Sequence, residues 1–394
     1  MNLDKYFRCY ANIDLDNIRK NAENLKAQLE PSTGMLGVIK TDAYGHGAVP
    51  VAKAIDDICS GFAVATAYEA HNLRAHGIDK PIFLLGYSTE YDFDVILNDD
   101  LIPCVSGIER AKVLSDYAKD AGKTVKLNVA VDTGMGRIGY EPTEESADEI
   151  VEISKLENIE VYSLFTHFAK ADYKDKAHAD SQLAKFDVFI KILKDKGLDI
   201  PVYQCANSAA IMEMPETSMS LSRAGIALYG LYPSDEMDKE NIELFPAMSL
   251  YSHVIYVKDV PQGTGISYGS TYVTDEPMKI ATIPVGYGDG YPRGLSNKGM
   301  VIIKGNKVPI VGRVCMDQFM VDVTGLDVEE GDLVTLMGTD GDETISADDI
   351  ANEMGTINYE IVCDVGKRVP RVYIKDGKIV GSKDYYDDKY EIEV

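Results

Sequence analysis

Residues 34–47 read GMLGVIKTDAYGHG. The run Met35–Ile39 carries no polar side chain and stops abruptly at Lys40, where a loop with Gly45 and Gly47 begins. A strand that is apolar on both faces has no solvent side, which suits a parallel sheet covered by helices. The same form returns at 61–66 (GFAVAT), 81–86 (PIFLLG), 101–106 (LIPCVS), 125–132 (VKLNVAVD), 161–167 (VYSLFTH), 202–208 (VYQCANS) and 221–230 (LSRAGIALYG). Amphipathic stretches lie between these runs, among them 15–29 after Asp14, 51–58 and 177–198. Eight such repeats predict an α/β fold: a (β/α)8 TIM-like barrel over residues 1–243, preferred to an open doubly wound sheet.

The rhythm changes near residue 244. LFPAMSLYSHVIYVKDV, MKIATIPVGYGDGYPRG, MVIIKGNKVPIVGRVCMDQFMVDV and GDLVTLMG alternate with a period of two, punctuated by Gly-Asn, Gly-Asp and Asp-Gly. Residues 244–394 are therefore expected to form an all-β domain, with the acidic stretch 234–243 as the exposed connection. Residues 346–354 predict a short helix capped by Ser346.

The chain has 394 residues and a formal net charge of −25. Such a surface repels phosphate backbones and anionic lipid heads, so neither nucleic acid nor membrane is expected as a partner. None of the six cysteines forms a C-x-x-C pair. No apolar run reaches the length of a membrane span or a signal peptide. A reduced, cytoplasmic location is the expectation.

Reactive groups on such a barrel gather at the C-terminal ends of its strands. Lys40, His167, the pair Asn207-Ser208 and Arg223 all fall there, from four different repeats. Each has an ordinary use: an edge charge, a core histidine, a helix cap. Together they suggest a site. Desolvation favours the neutral amine of a lysine, which can condense with an aldehyde, and pyridoxal 5'-phosphate is an aldehyde that proteins hold in this way. Its phosphate suits backbone N–H groups and hydroxyls such as those at Ser208, Gly225, Ile226 and Tyr44.

VIKTDAYGHG (38–47) resembles the cofactor-lysine motif of the alanine racemases. The resemblance continues through VDTGMGRIGY (131–140), SLFTHFAKAD (163–172), CANSAA (205–210), SRAGIALYG (222–230), GTGISYGSTY (263–272), PVGYGDGYPR (284–293), GRVCMDQFMVDV (312–323) and TINYEIVCDVGKRVPR (356–371). It implies a barrel with a C-terminal β-domain, paired head to tail as a homodimer with shared active sites. The implied activity is interconversion of L- and D-alanine by two bases, supplying D-alanine for peptidoglycan.

By that resemblance Lys40 holds pyridoxal 5'-phosphate covalently and serves as the base for the D-isomer. Tyr268 of the partner subunit serves as the base for the L-isomer. A phenol at its ordinary pKa near 10 is ionised about one part in a thousand at neutral pH, a handicap of roughly 4 kcal/mol, so nearby positive charge is needed. His167 and Arg223 match the residues that form a hydrogen-bonded chain from the phenol toward the cofactor, with Arg223 facing the pyridine nitrogen. A guanidinium cannot take up a proton there, which weakens the ring as an electron sink and suppresses side reactions. Arg137 matches the arginine at the phenolic oxygen and the substrate carboxylate. Met316 of the partner subunit offers its backbone N–H to that carboxylate, flanked by Cys315 and Asp317. Tyr44, Ser208, Gly225, Ile226 and Tyr359 match the phosphate contacts. No metal is implied.

One position departs from the family pattern. Many members carry a carbamylated lysine where this chain has Ala130. The group facing Arg137 must then be Asn128, a bound anion or water, with an anion favoured. Three other activities are weighed. A serine or broad-specificity racemase shares the fold, but the bulk of Tyr359 favours alanine. A diamino-acid decarboxylase calls for a carboxylate where Arg223 stands. A cofactor-carrying lone barrel has no use for the second domain.

Overall fold

A computed structural model describes residues 6–387. The described residues fall into two compact units: 17–43 with 48–245, and the remainder, in which 6–16 and 44–47 join 246–387. No described helix is long and apolar enough to cross a membrane.

After the N-terminal strand β1 (Cys9–Asp14), the first unit contains β2 (Gly34–Val38), β3 (Gly61–Val64), β4 (Ile82–Leu84), β5 (Cys104–Val105), β6 (Val125–Ala130), β7 (Ile159–Phe165), β8 (Val202–Gln204) and β9 (Leu221–Ala224). These eight strands, β2 to β9, run parallel in the order β4-β3-β2-β9-β8-β7-β6-β5. The ring closes between β4 and the residues before β5. There Leu84 donates to the Ile102 carbonyl at 2.9 Å and Ile102 to the Ile82 carbonyl at 3.0 Å. This is the expected eight-stranded barrel, joined at one seam by a single bridge rather than a full ladder. Leu36, Phe62, Val64, Leu84, Leu127 and Leu164 are fully buried. A strand sealed on both faces explains why the apolar runs are unbroken. Helices such as Ala67–Ala75, Ile108–Asp120 and Ala177–Asp195 follow the strands. Ser208, whose ordinary use would be a helix cap, is the first residue of the helix Ser208–Glu213, and Asn207 caps it by accepting from the Ala210 N–H at 3.0 Å.

The second unit holds β10 (Met248–His253), β11 (Tyr256–Val260), β12 (Gly265–Ile266), β13 (Tyr272–Val273), β14 (Met278–Ile283), β15 (Met300–Ile303), β16 (Asn306–Val311), β17 (Phe319–Asp322), β18 (Leu333–Asp340), β19 (Glu343–Ile345), β20 (Arg371–Lys375) and β21 (Lys378–Lys383). Its large sheet runs β11-β14-β17-β16-β15-β18-β10-β1-β20-β21, with β19 on β18, and β12 and β13 form a separate hairpin. Asp376 and Gly377 join β20 to β21 with φ of 50° and 67°, the two left-handed residues that a tight hairpin turn requires. The helix Ala347–Met354 starts at Ser346, whose hydroxyl accepts from the Asp349 N–H at 3.0 Å.

The sequence places residues 1–243 with the barrel, whereas β1 lies between β10 and β20, antiparallel to one and parallel to the other. Ala11 and Ile13 are fully buried there. The pairing is possible because β1 precedes the first barrel helix, Leu15–Ala27, so the strand is complete before the chain enters the barrel unit.

Candidate active site

Lys40 lies two residues after the end of β2; the residue between, Ile39, donates to the Ala63 carbonyl of the neighbouring strand at 2.9 Å. What comes next is not the flexible loop that the glycines suggest. Thr41, Asp42, Ala43 and Tyr44 hold φ of 54°, 49°, 56° and 51°, a full left-handed turn built without glycine. Left-handed backbone costs about 1–2 kcal/mol for each L-residue with a side chain. The turn is therefore over-determined by its surroundings. Ala43 donates to the Ile39 carbonyl at 3.0 Å. Glu69 accepts from the Thr41 N–H at 2.5 Å, and Asp42 from the Ala48 N–H at 2.8 Å. Gly45 and Gly47, with φ of 82° and 98°, let the chain leave this turn.

Arg223 stands on β9, next to β2 in the ring. It is 3% exposed, and its partners are all neutral. It donates to the carbonyls of Thr166 at 2.6 Å and Cys205 at 3.2 Å, to Gln204 Oε1 at 3.5 Å, and to His167 Nδ1 at 3.5 Å. Gln204 is itself fixed by donating to Ser163 Oγ at 2.8 Å. Burial, with Arg137 nearby, pushes the Arg223 pKa down to about 10. Since arginine can only donate, His167 Nδ1 accepts, which puts the imidazole proton on Nε2. Burial, then the positive charges of Arg223, Arg137 and Lys40, hold the His167 pKa down at about 3. The ring is thus neutral at physiological pH. His167 and Arg223 thus meet directly, and β9, which carries Arg223, pairs with β2, the strand that leads into Lys40. Gln182, fully buried, holds the His167 carbonyl at 3.0 Å and the Ala169 N–H at 2.9 Å.

Ser208 Oγ accepts from the Gly225 N–H at 2.8 Å and the Ala227 N–H at 3.4 Å. With both acceptor sites engaged, its proton is directed elsewhere, as a donor. Gly225 and Ile226 are buried beside it at the start of a short 3-10 turn.

Arg137 is carried by a loop that Asp132 organises. The Asp132 carboxylate accepts from the backbone N–H groups of Gly134, Met135, Gly136 and Arg137 at 2.9–3.0 Å. Burial pushes its pKa up, but these four bonds outweigh it and leave the carboxyl below its ordinary value. Arg137 is exposed and pairs with no carboxylate among the described residues. Ala130 is buried against Cys104 and Phe165. The fully buried Asn128 carboxamide has no protein hydrogen-bond partner among the described residues.

The remaining expected residues lie in the second unit. Tyr268 opens a short turn between β12 and β13 and is 71% exposed, with Ser267 and Ser270 on either side at φ of 65° and 44°. Ser267 Oγ donates to the Arg313 carbonyl at 2.6 Å, tying this turn to the loop that bears Cys315 and Met316. Met316 is 52% exposed, and its carbonyl accepts from the Gly288 N–H at 2.9 Å. Arg368 donates to Asp317 at 2.8 Å. The rings of Tyr44 and Tyr359 lie 6.2 Å apart, and burial raises the Tyr44 phenol well above its ordinary pKa.

Residues 13–233 match the family model for the alanine racemase N-terminal domain, and 247–373 that for the C-terminal domain. The chain belongs to the alanine racemase family. It is 45% identical to alanine racemase 1 of Clostridium acetobutylicum over 378 residues, 95% of this chain and 98% of that one. The solved alanine racemase of Clostridium difficile 630 is 42% identical and superposes with a TM-score of 0.93, covering 96% of this chain and 98% of the other. The alanine racemase of Bartonella henselae, solved with covalently bound pyridoxal phosphate, is 29% identical with a TM-score of 0.83, covering 93% and 99%. Three residues that build this racemase rim carry no separate signal in the sequence. Gln204 reads as strand core, Asp132 as the head of a glycine turn, and Glu69 as half of a helix cap.

Proposed function

We propose that this chain is a pyridoxal 5'-phosphate-dependent isomerase that interconverts L- and D-alanine. One observation carries the assignment: a fully buried guanidinium, Arg223, whose described partners are all neutral, on the same barrel rim as Lys40. A buried cation without a carboxylate favours a ligand that brings its own acceptor, so the donor set fits the cofactor. When bound, pyridoxal 5'-phosphate withdraws electrons from the α-carbon of an amino acid joined to it and so acidifies the α-C–H. Lys40 would hold it covalently, with Arg223 at the ring nitrogen and Arg137 at the phenolic oxygen. Ser208, Gly225, Ile226, Tyr44 and Tyr359 would take the phosphate.

Inversion needs a proton removed from one face and returned on the other. Lys40 serves the D-isomer, and Tyr268 of the partner subunit serves the L-isomer. Arg137 and the N–H of Met316 of the partner subunit orient the substrate carboxylate. The working form is then a homodimer, with residues 1–243 holding the cofactor and 244–394 completing the other chain's site. The net charge of −25 supports a protein without nucleic-acid or anionic-membrane partners, and its location is read as cytoplasmic from cysteines that form no disulfide framework. The D-alanine formed supplies peptidoglycan.

Borohydride reduction of the yellow protein should attach the cofactor to Lys40 in a peptide map. In deuterated water, L- and D-alanine should both exchange the α-proton, with serine far slower. A label on another lysine overturns the site, and equal turnover of serine overturns the substrate.

A further inference from the structure

The left-handed turn after Lys40 needs an anchor, and a single carboxylate ties it to the next barrel repeat. Glu69 lies at the third position of the helix Ala67–Ala75. One of its oxygens accepts from the N–H groups of Ala65 at 2.8 Å and Thr66 at 3.2 Å, while Thr66 Oγ1 accepts from the Glu69 N–H at 3.3 Å. That much is an ordinary capping box. The other oxygen leaves the box. It accepts from the Thr41 N–H at 2.5 Å, across from the loop after β3 to the turn after β2.

We propose that Glu69 is a positioning residue for Lys40, clamping the left-handed turn 40–44 onto the start of the helix Ala67–Ala75. This rests on the assignment of Lys40 above. The Thr41 amide is exposed, so water could satisfy it. What the carboxylate adds is place: a charge-assisted bond, stronger than a neutral one, between two rim loops. The Thr41 nitrogen belongs to the peptide bond that Lys40 itself begins. Any drift of the turn therefore moves the Lys40 Cα, and small displacements of a reacting group cost rate more than binding.

The test compares cofactor-loaded Glu69→Ala, Glu69→Gln and Thr66→Ala. Thr66→Ala weakens the helix cap but leaves the bond to Thr41, so it controls for plain loss of stability. Both alanine variants should lower the thermal midpoint by a similar amount. Only the Glu69 variants should speed hydrogen exchange in segment 40–44, weaken the visible circular dichroism of the bound cofactor, and cut kcat roughly tenfold at a KM within about twofold. Glu69→Gln keeps one acceptor and should fall between. Glu69→Asp, too short to reach Thr41 but able to serve the cap, decides the matter if the others do not fold. Wild-type exchange and kcat in the Glu69 variants, or equal losses in Thr66→Ala, overturn the clamp. Borohydride mapping on the same samples separates the two assignments: a label away from Lys40 ends the role of the lysine, and hydrogen exchange still decides whether Glu69 holds the turn.

Discussion

Arg223 and Tyr268 stand at opposite extremes of contact with solvent, 3% against 71% exposed. The arginine is fixed by two carbonyls, a glutamine and a histidine, all from strands of its own barrel or their ends. Its environment is complete within one chain and sets both its own ionisation and that of His167. The tyrosine sits on an exposed turn, with the Arg313 guanidinium beside the next residue, Gly269. On the proposed reading, the barrel half of the site is built by folding, and the tyrosine half by association with a partner subunit.

The sharpest way to break that contrast is to mix chains. Lys40→Ala and Tyr268→Phe homodimers should each be nearly inactive. If the tyrosine acts in the other chain's site, mixed dimers keep one intact site of two, and random mixing restores about a quarter of wild-type activity. No recovery after verified subunit exchange means that both groups serve the same chain.

Arg223→Glu tests the barrel side. It replaces a permanent cation with a group that can stabilise a proton on the ring nitrogen. Racemisation should fall, and transamination, read as pyruvate formed per turnover, should rise by roughly tenfold. Equal partitioning in variant and wild type removes the proposed role.

The smallest effect concerns stability and the neutral His167. Its pKa is about 3 in the folded chain, below the ordinary 6.5. Between those values the unfolded chain binds a proton that the folded one does not, so folding weakens as pH falls below 6.5 and is unaffected by this group above it. The slope from one such group approaches about 1.4 kcal/mol per pH unit. His167→Gln should flatten the pH dependence of the urea midpoint between pH 6.5 and 4. An unchanged slope would show that the histidine takes up its proton in the folded state.

The capping box at Thr66 and Glu69 is spelled out in the chain, yet only one of the two carboxylate oxygens follows from it. The other meets Thr41, twenty-eight positions earlier, because two barrel repeats lie side by side. The left-handed turn itself is illegible in Thr-Asp-Ala-Tyr, of which only Asp tolerates that backbone, and then as a single residue; Gly45 and Gly47 mark a bend but not its hand. The end of β2 was legible, since an apolar run cannot accept a lysine inside it.

The order of apolar runs and turn residues was enough to specify an eight-fold barrel followed by a β-domain, because burial on two faces and burial on one leave different periods in the chain. The motifs were enough to specify the family. Only the folded molecule decided that β1 leaves the barrel for the other sheet, that the described partners of Arg223 are all neutral, and that the turn beside Lys40 is left-handed and bonded to Glu69. Each depends on partners distant in sequence, and a local pattern carries no information about which distant group will fill a hydrogen bond.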